Sequence, residues 1–193
     1  MGAVRVVRAL APLVILAGVL AGCGDDSSSN PSGGGDSTIL GATSGFEVRT
    51  VYARYTPGVQ FGPQLPQEIV QELSSQSCPM KPKIVQGMLM ECDAGKAVYL
   101  LKNPIVEGDV ARATPKQVGS KNIWYVEVEL EPDVAKTISS ETKSMTGQQL
   151  AFSYDGSVLT SIAVDSSFHP EHFAITGNYD KASATKLADE LTA

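Results

Sequence analysis

The stretch QLAFSYDGSVLTSIAV, residues 149–164, predicts an antiparallel hairpin. Leu150, Phe152 and Tyr154 alternate with smaller or polar side chains, and an apolar segment resumes after the turn. Asp155-Gly156 between the two arms is a dipeptide that favours a two-residue type I′ turn. The sequence therefore places at least one pair of antiparallel strands in the second half of the chain.

The segment before this hairpin predicts a strand followed by a helix. WYVEVELE, residues 124–131, alternates apolar with mostly acidic side chains over a full strand. Pro132 suits the first turn of a helix in which Val134 and Ile138 recur near helical spacing, and Gly147 can end that helix.

The segment after the hairpin predicts one more strand and a last helix. FAIT, residues 173–176, is the strand, and Asp180 can cap the helix. Its apolar face contains Ala184, Leu187, Ala188 and Leu191.

The first half of the chain has a less regular pattern. Residues 46–55 alternate as a first strand, and Pro66 can begin a helix with Ile69, Val70 and Leu73 on one face. Residues 74–91 predict an irregular segment, and residues 97–101 predict a strand that Asn103-Pro104 ends. The mixture predicts an α+β domain with a largely antiparallel sheet and packed helices.

Composition limits the classes of partner. The chain of 193 residues has a formal net charge of -6 and no block rich in lysine or arginine, so no nucleic acid is expected as a partner. Residues 23–38 are dominated by Ser, Gly and Asp, which predicts a flexible tether. Residues 39–193 then suffice for one domain.

The N-terminus has the pattern of a targeting signal. Arg5 and Arg8 precede an apolar run, residues 9–20, that is too short to cross a bilayer. Leu20-Ala21-Gly22-Cys23 then resembles the lipobox of bacterial lipoproteins. The resemblance implies that residues 1–22 are a signal peptide, that Cys23 is acylated, and that the acyl chains hold the protein in the lipid bilayer at the extracytoplasmic face of the cell membrane. An ordinary secretory signal with an incidental cysteine is the alternative.

Cys78 and Cys92 are the other cysteines of the chain. A disulfide is the first interpretation, because such bonds persist outside the cytoplasm. A metal pair and a reactive thiol are the competing interpretations, although two ligands do not make a zinc site.

Five segments resemble, in order, the first periplasmic domain, or head, of SecD, a membrane subunit that assists protein export. These segments are AVYLLKNPIVEGDVARATPKQ, WYVEVELEPDVAKTISSET, QQLAFSYDGSVLTSIAVDS, FAITGNY and the closing helix DKASATKLADEL. The resemblance covers about Tyr99 to Leu191, and FEVRTVY with the two cysteines is similar to the preceding part of actinobacterial SecD chains. It implies a SecD-like α+β fold, with a helix after Gly108-Asp109. The family's glycine after Tyr99-Leu100-Leu101 is replaced here by lysine.

Candidate chemical sites are weak in this sequence. His169 and His172 flank a proline, and no third metal ligand is evident, so a polar loop is the interpretation. Glu127, Glu129 and Glu131 share one strand face and are interpreted as solvated. A second set of side chains, interpreted as core residues rather than as a peptide groove, consists of Tyr52, Tyr55 and Trp124. No catalytic residue, metal or cofactor is predicted.

The sequence therefore predicts a lipid-anchored binding module that is not an enzyme. Its expected partners are translocase components or unfolded secretory polypeptides. No apolar run approaching 18 residues follows Leu20, so the proton-linked membrane helices of SecD are not expected here. The alternative function is that of a receptor for a small molecule or cell-envelope component.

Overall fold

The computed structural model of the chain describes residues 45–193. The predicted signal peptide and tether, with Cys23, lie outside the described residues, as do residues 39–44 of the predicted domain. The described part contains ten strands and three helices. In chain order these are β1 Phe46–Thr56, β2 Val59–Phe61, α1 Gln67–Ser75, β3 Lys83–Val85, β4 Met88–Asp93, β5 Val98–Gly108, β6 Val110–Gln117, β7 Trp124–Leu130, α2 Pro132–Thr142, β8 Gln149–Tyr154, β9 Ser157–Ala163, β10 His172–Tyr179 and α3 Lys181–Leu191.

The larger sheet closes into a ring. Its hydrogen-bonded order is β1, β5, β4, β9 and β8, and β8 pairs with β1 again. All of these pairings are antiparallel except that of β4 with β9. The short strand β2 pairs with β1, and the short strand β3 pairs with β4. Because the ring has an inside and an outside, both faces of its strands can be removed from water.

A second, three-stranded antiparallel sheet has the order β10, β7, β6. Together with α2 and α3 it covers the outside of the ring at the start of β1 and β8. Three phenylalanine side chains, each from a different strand, form the centre of this apolar core. The aromatic ring of Phe152 lies 4.3 Å from that of Phe173 and 6.2 Å from that of Phe46, measured between centroids. Aromatic packing of this kind stabilises beyond the area it buries.

Helix α3 begins where the sequence predicts. The Asp180 side chain accepts a hydrogen bond from the Ser183 backbone N–H, and the Asp180 N–H donates to the Ser183 hydroxyl, which together make a capping box. Hydrogen bonds from Ser183 hold the pKa of Asp180 below its usual value. Ala184, Ala188 and Leu191 are buried against the second sheet.

A separate apolar cluster lies under α1. Ile69 and Leu73 of this helix are buried, as the sequence predicts, while Val70 is half-buried. Cys78, after the helix, is bonded to Cys92 of β4, with the two Cα atoms 5.8 Å apart. The disulfide is confirmed, and it joins the segment after α1 to the ring.

Several predicted segments differ from the structure, and one of them is helix α2, which ends at Thr142 rather than at Gly147. Residues 74–91 are not wholly irregular, since β3 and the start of β4 form a hairpin there. Strand β5 does not end at Asn103-Pro104 but continues to Gly108. Beyond Leu101 it pairs with β1 alone among the described strands, and a proline is tolerated at such a strand edge.

The SecD resemblance implies a helix after Gly108-Asp109, and this expectation is also wrong. Residues 110–117 form strand β6, which pairs with β7 along its full length. Pairing between strands decides the conformation here, since residues such as Ala113 and Val128 are partners in the second sheet.

Candidate functional site

The inside of the ring contains charged side chains. Strand β1 supplies Glu47 and Arg49, β4 supplies Glu91, and β8 supplies Ser153. Their exposed fractions are 1%, 0%, 0% and 0% respectively, so the cluster is shut off from solvent. Charged groups are seldom buried so completely unless they are paired.

Glu47 and Arg49 form a bidentate ion pair. Arg49 Nε lies 2.9 Å from Glu47 Oε1, and Arg49 Nη2 donates to Glu47 Oε2 at 2.9 Å. Arg49 Nη1 donates to the backbone carbonyl of Lys102 at 3.1 Å. Two nitrogens of the planar guanidinium face the two carboxylate oxygens, and the third nitrogen binds the backbone of β5.

Glu91 lies in the same cluster but has a different chemistry. The Ser153 hydroxyl donates to Glu91 Oε2 at 2.8 Å, while Glu91 Oε1 has no hydrogen-bond partner among the described residues. Burial raises the pKa of Glu91 to about 7, and the nearby Glu47 adds to this effect, whereas Ser153 and Arg49 oppose it. The charge of Glu91 therefore changes near neutral pH.

Further polar side chains lie between the buried cluster and one end of the ring. The Tyr99 hydroxyl donates to Asp93 Oδ2 at 3.2 Å, and Asp93 Oδ1 accepts from the Ala97 backbone N–H at 2.7 Å. Burial raises the pKa of Tyr99. These contacts fix the tight turn between β4 and β5.

A groove lies on the outside of the ring, between the middle of β5, the start of β4 and the end of α2. Its volume is about 620 Å³. Met88, Ile105 and Met145 give it apolar walls, and Lys102 and Glu141 supply opposite charges. Methionine side chains adapt to partners of different shape, so such walls suit a binding site of low sequence selectivity.

One border of this groove is a strand edge. Residues 102–108 of β5 pair with β1 on one side, and no pairing with another described strand is present on the other side. Backbone groups on an open edge can bind an extended chain as an additional strand. The buried cluster is connected to this border, since Arg49 Nη1 binds the carbonyl of Lys102.

The structure disperses the aromatic side chains named in the sequence. Tyr52 and Tyr55 pack beside the cluster under α1, and Trp124 packs against the core of the second sheet. They do not line a common groove, in agreement with their interpretation as core residues.

The acidic strand face and the histidines also lie apart from the groove. Glu129 pairs with Arg112, and Glu127 Oε2 lies 3.6 Å from Lys116 Nζ, so these carboxylates belong to a charged outer face. His169 and His172 are exposed. Within residues 45–193 no group of three or more His, Cys, Asp or Glu side chains is arranged to hold a metal ion. No helix in that range is long and apolar enough to span a membrane.

Sequence reasoning did not find the buried cluster. Glu91 follows Met88-Leu89-Met90 and precedes Cys92, so it is a lone charge inside an apolar run. A lone charge at such a position is a signal of a buried ionisable group, because a solvated strand face would show alternation.

Structures of SecDF are among the solved structures that resemble the chain. One is the crystal structure of SecDF in the super-membrane-facing form, with 19% identity over 76% of this chain and 18% of that chain, at a TM-score of 0.47. The other is the structure of SecDF described as a membrane component that enhances protein export, with 20% identity over 80% of this chain and 64% of that chain, at a TM-score of 0.47. This chain thus spans less than two thirds of either protein.

A comparison with curated proteins gives no match. The family model of the SecDF P1 head subdomain matches residues 84–193. This range contains all nine elements from β4 to α3. It also includes the five segments on which the SecD resemblance rests. The chain belongs to the SecDF P1 head family.

Proposed function

We propose that the chain is a lipid-anchored, non-enzymatic module that binds exported polypeptides at the outer face of the cell membrane. The observation that carries this proposal is the match of residues 84–193 to the SecDF P1 head family. A related solved protein is described as a membrane component that enhances protein export. The chain spans only part of that protein, so the proposal concerns recognition and not the activity of the whole SecDF.

The groove beside β5 supports a polypeptide as the ligand. An unfolded secretory chain offers a repeating backbone and variable side chains. The strand edge that lines the groove, residues 102–105, can bind the backbone without regard to sequence. Met88 and Met145 can adapt to the side chains, and Lys102 and Glu141 can bind charges of either sign.

Photo-crosslinking in secreting cells tests this ligand. A photoreactive residue at Asn103 or Glu141, on the border of the groove, is expected to form adducts with secretory polypeptides or translocase components. Lys186, which is exposed on α3, is the matched control position and is expected to give few adducts. Equal yields at the three positions, or none at Asn103 and Glu141, would contradict the proposal.

The membrane anchor is a separate part of the proposal. Residues 1–22 are the signal peptide, Cys23 carries the acyl chains, residues 23–38 are the tether, and residues 39–193 are the domain. Several acyl chains hold a protein to a bilayer far more firmly than one. The Cys23→Ala variant is expected to lose incorporation of labelled fatty acid, whereas Ser27→Ala keeps it. A labelled Cys23→Ala protein would refute this site.

The alternative, a receptor for a small molecule or a cell-envelope component, is supported by a second cavity of about 460 Å³. It lies between the β4–β5 turn and the end of β10, and its lining includes Asp93, Thr176 and Asn178. Polar side chains of this kind bind hydroxyl-rich ligands. Calorimetric titration with soluble fragments of the cell envelope tests this function, and a Thr176→Val variant that binds as well as the wild type would exclude this cavity.

A further inference from the structure

The hairpin of β6 and β7 ends in a tip formed by residues 118–123. The Val118 N–H donates to the Ile123 carbonyl at 2.9 Å and closes the tip, while Gly119 takes the left-handed conformation, with φ +56°, that the turn requires. Val118 is 45% and Ile123 is 47% exposed. Because paired residues on antiparallel strands place their side chains on the same face, these two form one exposed aliphatic patch.

The tip is locally basic in an acidic chain. Residues 116–125 contain Lys116 and Lys121 and no carboxylate, although the whole chain has 21 acidic and 15 basic side chains. Lys116 is partly neutralised by Glu127, whose Oε2 lies 3.6 Å from the Lys116 Nζ. Lys181 adds a charge nearby, since its Nζ lies 5.8 Å from the ring centroid of Trp124.

We propose that this tip docks on the anionic surface of the bilayer that holds the anchor. The inference rests on the lipid anchor of the proposed function. Two aliphatic side chains can enter the headgroup region, while the lysines bind lipid phosphates from the side. The tip is a projecting turn, a shape that suits insertion between headgroups better than enclosure of a peptide.

The chain outside the described residues is long enough for this contact. The 23 residues from Cys23 to Gly45 can span at most about 75 Å when extended. Phe46 pairs with Gly108 at the base of the hairpin, and the tip lies about 26 Å farther, which is eight residues of strand. An anchored domain meets the surface at a high effective concentration, so a weak contact is sufficient for docking.

Trp124 gives a direct measurement, because it is the only tryptophan of the chain and pairs with Gln117, one residue below the tip. The acylated full-length protein is purified from membranes and inserted into vesicles of mixed phosphatidylglycerol and phosphatidylcholine that contain brominated lipid. We expect bromine to quench Trp124. The Val118→Asp/Ile123→Asp variant is expected to reduce that quenching about twofold or more. The matched control, Val59→Asp/Ile84→Asp, changes side chains of similar exposure, 47% and 44%, and is expected to leave the quenching unchanged.

The outcomes separate docking from anchoring. If the protein washes off the vesicles, the anchor is refuted and the docking proposal falls with it. If the protein stays but the tip variant is quenched like the wild type, only the docking is refuted. Quenching that persists in pure phosphatidylcholine would refute the role of anionic lipid. Protection of Trp124 from acrylamide that rises with protein concentration in detergent would assign the tip to a second copy of the chain and overturn the proposal.

Discussion

Strand β1 sends alternate side chains into two buried regions that differ in chemistry. Phe46 and Val48 enter the apolar core between the ring and the second sheet, whereas Glu47 and Arg49 enter the ring. In the apolar core each side chain contributes through contact and exclusion of water, so a smaller side chain costs a part of the total. In the ring Glu47 and Arg49 depend on each other, so the loss of one leaves the other uncompensated.

The largest expected effect comes from breaking the ion pair. Arg49→Ala leaves Glu47 buried without its guanidinium and is expected to lower the free energy of unfolding by about 3–5 kcal/mol. Urea denaturation measures the change. Arg112→Ala, which removes the exposed partner of Glu129, is the control and is expected to cost less than about 1 kcal/mol.

A double variant tests whether the partnership or the charge itself matters. Glu47→Leu/Arg49→Met replaces the pair by apolar side chains, and its free energy of unfolding is expected to be near that of the wild type, because neither member of the pair is left without the other. If the double variant is as unstable as Arg49→Ala, the interior of the ring does not behave as a set of dependent charges.

Glu91→Gln is expected to have a smaller effect that depends on pH. The pKa of Glu91 is raised to about 7 in the folded protein from 4.5, so the folded state binds more protons between these values. The wild type therefore loses stability as pH rises from 4.5 to 7, and the loss above pH 7 is about 3 kcal/mol.

The variant lacks this loss, so its advantage over the wild type should grow across the same pH range. Urea denaturation at a series of pH values measures it. Glu107→Gln, at an exposed position, should show no such trend. An advantage of Glu91→Gln that is equal at pH 4 and pH 8 would show that Glu91 does not titrate inside the ring.

The smallest effect is expected in the apolar core. Ile175 is fully buried among the side chains of the second sheet, and Ile175→Val removes one methylene group. The expected loss is about 0.5–1.5 kcal/mol. Because no charge is involved, the loss should be the same at pH 5 and pH 8 when measured by urea denaturation. A pH-dependent loss would remove the distinction between the two regions.

The sequence was most informative where order is local. The hairpin of residues 149–164, strand β7 and the capped helix α3 depend on periodicity and on turn or cap residues that lie next to one another. Ring closure depends instead on pairing between distant strands. Without that pairing, Asn103-Pro104 predicts an end to β5, and the structure shows that the strand continues.

The candidate site was less predictable for the same reason. Arg49, Glu91 and Lys102 come from three strands that only the ring brings together. Alternation along β1 gives no sign that both of its faces are buried, because a strand with one wet face has the same pattern. The cysteines were different, since the predicted extracytoplasmic location was enough to suggest the disulfide without knowledge of the fold.

Closure of the ring also constrains how the protein folds. Strand β1 comes first in the described chain, yet Phe46 finds its partner Tyr154 about a hundred residues later. Pairing over such a distance loses much chain entropy before the strand contacts contribute favourable free energy. Domains with many such long-range contacts fold in milliseconds to seconds. The first strand therefore stays incompletely paired until most of the chain is available, so the ring forms late. During synthesis, closure of the ring must therefore wait until β8 has been made.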